Sequence, residues 1–289
     1  MGATQDFNQK VVQRYGWSAH FDTDDDGYWK VNVVVGLTSR HEFTCQEKDA
    51  KQAKEYLSSR AMEVLDSYIK QEEAKIVCTL TEVFPGTITI KDSSNPETWT
   101  AFWKNPPKVV GIDIEGNQIS PPVLVQISTS DFTILEVPRK NQKLSSHIRR
   151  LLTDDSIVKV FCDNFSHKDK KSLGLETNGD FSKPPIVDLE SICNIVTGIN
   201  AKVPRGLSNI VSLCFPELNV RIKKPNQSSK RFKNIGRFAM IEQGKAKPLG
   251  GLNDLSAEEQ QYAALDSWCT LQAYARLREM MPDTGISIT

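Results

Sequence analysis

The feature that most constrains this 289-residue sequence is the run Val109-Val-Gly-Ile-Asp-Ile-Glu115, in which two acids interrupt an apolar strand pattern. Successive side chains of a strand point to opposite faces, so Asp113 and Glu115 lie on the same face. Two carboxylates on one face of a buried strand repel each other and lose hydration, which destabilises the fold. A divalent cation bound between them offsets both effects. On these residues alone, an edge strand with solvated acids is the alternative.

A third acid and a tyrosine occur together in the segment 256–280, whose apolar residues recur at helical spacing. Tyr262 and Asp266 are four residues apart, so they share one face of the predicted helix. The apolar side of this helix is formed by Leu255, Ala263, Leu271 and Tyr274. The spacing therefore predicts that Tyr262 and Asp266 converge on one point.

Strand and helix patterns alternate along residues 76–280, which is typical of an α/β domain with a mixed sheet. The predicted strands are 76–83, 87–90, 109–115, 123–128, 133–137 and 158–162. The predicted helices are 96–103, 144–152, 168–174, 187–197, 206–214 and 256–280.

With these motifs in order, residues 76–289 resemble the DEDD superfamily of 3′→5′ exonucleases. The resemblance is to the tyrosine subclass, which includes ribonuclease D and the Werner-type exonucleases. The first motif is Val110-Gly-Ile-Asp113-Ile-Glu115-Gly, followed by Pro122-Val-Leu-Val-Gln126-Ile-Ser, and the third is Leu255-Ser-x4-Gln261-Tyr262-Ala-Ala-x-Asp266. The fold that this resemblance implies is a ribonuclease H-like exonuclease fold.

The second motif of that superfamily is looser in this sequence. It resembles the strand Lys159-Val-Phe161 followed by Asp169, with Leu173 four residues later. Two additional residues separate the strand from Asp169, so Asp163 is an alternative for the same role. Asp188 matches an aspartate that the family often has, and we expect it to be structural.

The resemblance implies hydrolysis of phosphodiester bonds with two bound ions, Mg²⁺ or Mn²⁺. Such hard cations prefer carboxylate oxygens to thiolates or imidazoles. By the same resemblance, Asp113, Glu115 and Asp266 coordinate the first ion, while Asp113 and Asp169 coordinate the second. Tyr262 orients the attacking water or helps to deprotonate it.

Residues 1–70 are predicted to form a separate small unit of order α–β–β–β–α, and 5–69 resemble a double-stranded-RNA-binding domain. The supporting patterns are helices at 5–15 and 48–69 and strands at 29–35 and 41–44. Such domains hold RNA phosphates with lysines at the start of the second helix, where this chain has Lys48, Lys51 and Lys54.

Two departures leave a second interpretation of this unit open. Glu47 stands where that family usually has a further lysine, and four aspartates fall between Asp22 and Asp26. Acids near phosphates oppose binding. The alternative is a unit used for contacts with a protein partner, including a second copy of the chain.

Positive charge is concentrated in one segment, although the formal net charge of the chain is zero. Residues 221–247 hold nine Lys and Arg against one acid, Glu242, whereas residues 1–75 hold ten Lys and Arg against 13 Asp and Glu. Cations and interleaved rings suit a single-stranded nucleic acid. The residues predicted to bind it are Lys223, Lys224, Lys230, Arg231, Phe232 and Lys233. A nuclear-localisation signal and a surface loop are the alternatives.

The function expected from these features is removal of nucleotides from the free 3′ end of RNA. A DNA exonuclease of the Werner type and a non-catalytic scaffold that binds RNA or protein are the alternatives. The six cysteines lack metal-ligand spacing, which favours buried thiols of a reducing compartment over a zinc site. No segment has the pattern of a secretion signal or a membrane span. We therefore expect a cytoplasmic or nuclear protein.

Overall fold

The computed structural model describes residues 2–8, 17–37, 39–85, 88–115, 122–138, 144–162, 185–197, 206–222, 241 and 247–281. They divide into two compact units. The first unit is Met1–Cys78 with Glu190–Lys223, and the second is Thr79–Leu189 with Lys224–Thr289. The division into domains at 1–70 and 76–289 stays a prediction.

The described residues form both strands and α-helices, numbered in chain order. The strands are β1 Ser18–Thr23, β2 Trp29–Val35, β3 Ser39–Thr44, β4 Ile76–Cys78, β5 Ile90–Asp92, β6 Val109–Glu115, β7 Leu124–Ser128, β8 Thr133–Glu136, β9 Val158–Phe161, β10 Ile186–Asp188 and β11 Val220–Ile222. The helices are α1 Ala3–Phe7, α2 Ala50–Ala74, α3 Leu80–Val83, α4 Pro96–Lys104, α5 Ser146–Thr153, α6 Leu189–Thr197, α7 Leu207–Cys214 and α8 Ala257–Met280.

The first unit contains an antiparallel sheet of order β1-β2-β3 with α1 and α2. The alternating valines of β2 place Val31 and Val33 in the core, and α2 contributes a buried stripe of Ala53, Leu57, Ala61, Leu65 and Ile69. This confirms the predicted strands and second helix, while most of the predicted helix 5–15 lies outside the described residues. That the unit is a double-stranded-RNA-binding domain stays a prediction. The same unit also contains a parallel pair formed by β4 and β11.

Several predicted elements of the later chain were wrong in part. The apolar run 76–83 is not one strand, because Thr79 and Glu82 form a capping box that starts the short helix α3. The predicted helix 187–197 begins later, at Leu189, because Ile186–Asp188 pair with β9. The predicted strand 87–90 is shifted along the chain, because the observed strand β5 spans Ile90–Asp92. The predicted helix 168–174 lies outside the described residues.

The second unit is built on a six-stranded sheet of order β10-β9-β6-β7-β8-β5. Strands β10, β9 and β6 are parallel, β7 is antiparallel to both of its neighbours, and β5 is parallel to β8. This confirms the mixed sheet of an α/β fold. Strand β6 is paired on both sides, so the edge-strand alternative for Asp113 and Glu115 was wrong.

The two faces of this sheet are covered by different helices. Helices α4 and α5 pack on one face around a core that includes Trp99, Phe102, Val110, Ile112, Val125, Ile127, Ile134, Ile148 and Leu151. Helix α8 covers the other face, where Ala263 packs with Leu124, Leu135, Leu249, Leu252 and Leu255. None of the helices among the described residues has the length and apolar character needed to cross a bilayer.

Candidate metal centre

Three carboxylates meet where β6 and α8 lie against each other. Asp113 and Glu115 come from β6 and Asp266 from α8, and each offers an oxygen within 4.8 Å of those of the other two. All three side chains are partly buried. Oxygens that bind one Mg²⁺ or Mn²⁺ each lie about 2 Å from the ion, so they are at most about 4 to 5 Å apart. The donor set and its spacing therefore fit a hard divalent cation.

Gly111 explains how α8 comes so close to β6. A Cβ atom at this position would lie 2.2 Å from the backbone oxygen of Ser267 and 2.9 Å from the backbone nitrogen of Leu271. Such distances are far inside van der Waals contact, so only glycine allows this approach. Because Ser267 follows Asp266 directly, the missing side chain at position 111 brings the helical acid to the two strand acids.

A cluster of buried hydroxyl groups joins α8 to the sheet next to Gly111. Ser128 lies opposite Gly111 in the β6–β7 pairing. The Oγ atom of Ser128 is 2.8 Å from Oγ of Ser267 and 2.6 Å from Oγ1 of Thr133. All three residues are buried, so the hydrogen bonds satisfy polar groups that would otherwise destabilise this face.

Tyr262 lies in the electrostatic environment of the three acids. Burial raises the pKa of its phenol well above the ordinary range, and the negative charges of Asp266, Glu115 and Asp113 raise it further. A hydrogen bond from the phenol to Asp266 acts in the same direction. The phenol is therefore protonated at neutral pH, and in this state it acts as a hydrogen-bond donor.

Asp188 lies on the other side of the sheet from this cluster. It is in register with Phe161 of β9, which is in register with Ile112 of β6. Ile112 and Phe161 belong to the core between the sheet and helices α4 and α5. Side chains in register on parallel strands share a face, so Asp188 points away from the face of Asp113. This placement fits the structural role expected for it.

The remaining predicted site residues fall in two groups. Asp163 and Asp169 lie outside the described residues, as do Lys223, Lys224, Lys230, Arg231, Phe232 and Lys233. The N-terminal lysines are described. The ammonium group of Lys48 lies 4.8 Å from the ring centroid of Tyr28 and that of Lys54 lies 4.9 Å from the ring centroid of Trp29. Lys51 is exposed on the first turn of α2.

The role of Gly111 was not predicted from the sequence, although a signal for it was available. A glycine inside an apolar strand indicates a bulge or a close approach of another backbone. The hydrogen bond between Ser128 and Ser267 had no such signal, because its partners are 139 residues apart in the chain.

A family model described as 3′-5′ exonuclease matches residues 87–282. That range contains all three acids of the cluster and Tyr262. Among curated proteins, none matches the chain at a significant level.

Several solved structures are similar to part of the chain. Brucella melitensis NrnC bound to pGG shares 22% identity over 67% of this chain and 81% of its own, with a TM-score of 0.43. The same protein with bound Mg²⁺ shares 21% identity over 70% and 85%, with a TM-score of 0.44. Escherichia coli RNase D, an exoribonuclease involved in structured RNA processing, shares 16% identity over 67% and 45%, with a TM-score of 0.45.

Proposed function

The chain belongs to the 3′-5′ exonuclease family, and from this premise we propose that it removes nucleotides from the 3′ end of RNA with Mg²⁺ or Mn²⁺ bound at Asp113, Glu115 and Asp266. The observation that supports this proposal most strongly is the approach of three carboxylates from two distant segments to within 4.8 Å. Such a cluster is unfavourable without a cation, because like charges in a partly buried site repel each other.

In this proposal each side chain has a separate role in hydrolysis. Asp113, Glu115 and Asp266 hold one cation, and a second cation is held by Asp113 with Asp169, for which Asp163 is the alternative. When bound, the cations supply activation of the attacking water and stabilisation of the leaving oxygen. When the carboxylate of Asp266 is bound to the cation, the protonated phenol of Tyr262 donates its hydrogen bond to that water instead and orients it. The close packing of α8 on β6 keeps these groups at fixed separation.

The preference for RNA rests on the N-terminal unit, for which we propose contact with RNA phosphates through Lys48, Lys51 and Lys54. Two of the three ammonium groups lie over aromatic rings, which holds them at the surface near the start of α2. We also propose that the basic segment 223–233 binds the single-stranded 3′ end through its cations and Phe232. A DNA substrate is the second candidate.

One assay tests the reaction and the substrate together. Single-stranded, duplex and 3′-overhang RNA and DNA, each labelled at the 5′ end, are incubated with Mg²⁺, Mn²⁺ or EDTA. We expect a ladder of products shortened from the 3′ end on RNA with either metal and none with EDTA. Equal or faster shortening of DNA would overturn the RNA preference. Intact substrates under all conditions would overturn the proposed reaction.

The N-terminal contact is tested by replacing Lys48, Lys51 and Lys54 with Ala in one variant. We expect weaker binding to duplex RNA and a shallower dependence of affinity on salt, by up to about three in the log–log slope, because each lysine neutralises one phosphate. Lys70→Ala is the control, since Lys70 is exposed at the other end of the same helix and pairs with Asp66. Unchanged affinity of the triple variant would refute the contact.

A further inference from the structure

Gln126 is a buried amide on the face of the metal centre. Its side chain is fully buried on β7, and neither its Oε1 nor its Nε2 has a hydrogen-bond partner among the described residues. Buried amides without partners destabilise a fold, and they are rare in native proteins. An amide at such a position indicates that a hydrogen-bond partner is near it in another state of the site.

The strand register shows which groups are near this amide. Gln126 lies directly opposite Asp113 on one side and opposite Leu135 on the other. Directly opposite residues of antiparallel strands share a face, with Cβ atoms about 4.5 to 5.5 Å apart. Leu135 is apolar and cannot accept a hydrogen bond. Of the two residues opposite Gln126 on the neighbouring strands, only Asp113 therefore offers a polar group, its carboxylate.

We propose that Gln126 is a positioning residue for the metal centre. In the cation-bound state its Nε2 donates a hydrogen bond to the carboxylate of Asp113 and fixes the orientation of that ligand. Hydrogen bonds to coordinating groups commonly strengthen metal binding by 10- to 100-fold, roughly. This inference rests on the proposed function, because it requires Asp113 to bind the cation.

The test is calorimetric titration of the protein with Mn²⁺ alone, without nucleic acid. Gln126→Met keeps the length of the side chain and removes both polar atoms. We expect its dissociation constant for Mn²⁺ to rise about tenfold or more, while its melting temperature without metal equals or exceeds that of the wild type. Leu135→Met is the matched control, because it places the same side chain on the same face, on the side of Gln126 away from Asp113. Its affinity for Mn²⁺ should equal that of the wild type.

Two further measurements separate the possible failures. If the wild type binds no Mn²⁺, or if Asp113→Asn binds it as well as the wild type, the proposed metal centre is wrong. If Asp113→Asn loses binding while Gln126→Met and Gln126→Leu both stay within twofold of the wild type, only the inference about Gln126 is wrong. A lower melting temperature of Gln126→Met with unchanged Mn²⁺ affinity would likewise overturn it, since the amide would then be purely structural.

Discussion

The two faces of the six-stranded sheet differ in composition although the same strands form both. On β6, Val110 and Ile112 point toward helices α4 and α5, whereas Gly111, Asp113 and Glu115 point toward α8. Because successive residues of a strand point to opposite faces, the packing residues of β6 alternate with its acids. The first face is a nearly continuous apolar core.

The face under α8, on which we propose the metal centre, has a composition that is less favourable for stability. It contains three carboxylates, a buried hydroxyl cluster around Ser128 and the amide of Gln126. The carboxylates and the amide, which has no hydrogen-bond partner in the described part of the chain, are less favourable in a folded interior than apolar side chains of similar size. Substitutions of these groups should therefore alter activity or metal binding, and substitutions on the other face should alter stability alone.

The largest expected effect is that of Asp113→Asn on the α8 face. We expect the rate of 3′-end shortening to fall roughly 1,000-fold, equivalent to about 4 kcal/mol of activation free energy, because one ligand charge is lost. Its melting temperature should be unchanged or higher, since repulsion among the acids decreases. Steady-state rates and thermal unfolding measure the two effects.

Ile112→Val is the comparison for this variant, because Ile112 precedes Asp113 and points to the other face. It should lower the free energy of unfolding by about 1 kcal/mol and leave the rate unchanged. If Asp113→Asn shortens RNA as fast as the wild type, the catalytic assignment of this face is wrong.

Gly111→Ala tests whether close packing sets the geometry of the site. The added methyl group meets the backbone of α8 at 2.2 Å, so the helix must move away from β6. We expect a loss of about 1 to 3 kcal/mol in unfolding free energy, together with a lower rate per folded molecule. Denaturant unfolding and kinetics on the same preparation measure both.

Val110→Ala is the control for the stability part of that effect. It also destabilises the sheet, from the α4 and α5 side, but it leaves the spacing between β6 and α8 unchanged. A Gly111→Ala variant that keeps the wild-type rate would show that the acids tolerate displacement of the helix.

The apolar face also contains a buried lysine, Lys159 of β9. Burial lowers its pKa to about 8, although the charges of Asp154 and Asp155 oppose this effect. Its ammonium group donates a hydrogen bond to the backbone oxygen of Asp154. Between pH 8 and the ordinary lysine pKa near 10.5 the unfolded chain binds more protons than the folded chain.

The contribution of Lys159 to unfolding free energy should therefore increase as the pH rises through this interval, by about 1 to 2 kcal/mol between pH 7.5 and 10. Lys159→Met should remove this increase, as measured by urea unfolding at several pH values. Lys108→Met, at an exposed lysine just before β6, should retain it. Parallel pH profiles for Lys159→Met and the wild type would contradict the lowered pKa.

The smallest expected effect is that of Ser128→Ala. It removes the hydroxyl that joins β7 to Ser267 and Thr133, and we expect a loss of about 1 kcal/mol in unfolding free energy. Ser130→Ala, at an exposed position, should change it by less than about 0.5 kcal/mol. Equal stability of both variants would show that the hydroxyl cluster does not anchor α8.

Much of this organisation follows from local pattern, and the exceptions have physical reasons. The two-residue repeat of a strand predicts β6 and the common face of its acids. The 3.6-residue repeat of apolar side chains predicts α8 and places Tyr262 and Asp266 on one face of it. The strand order does not follow from local pattern, because hydrogen bonding between β6, β7 and β9 is decided by distant residues. The same holds for the contact of Gly111 with Ser267. The capping box of Thr79 and Glu82 is a local signal for the start of a helix, and it shows that the predicted strand 76–83 should have ended before Thr79.

Because Gly111 has no side chain, main-chain atoms alone set the distance between β6 and α8. Where two backbones touch, their separation is set by van der Waals contact between main-chain atoms and not by the rotamers of intervening side chains. Exchange of residues in the core under α4 and α5 should therefore leave Asp113, Glu115 and Asp266 in place. Sequence change on that side of the sheet would then not alter the distance between the strand acids and the helix acid.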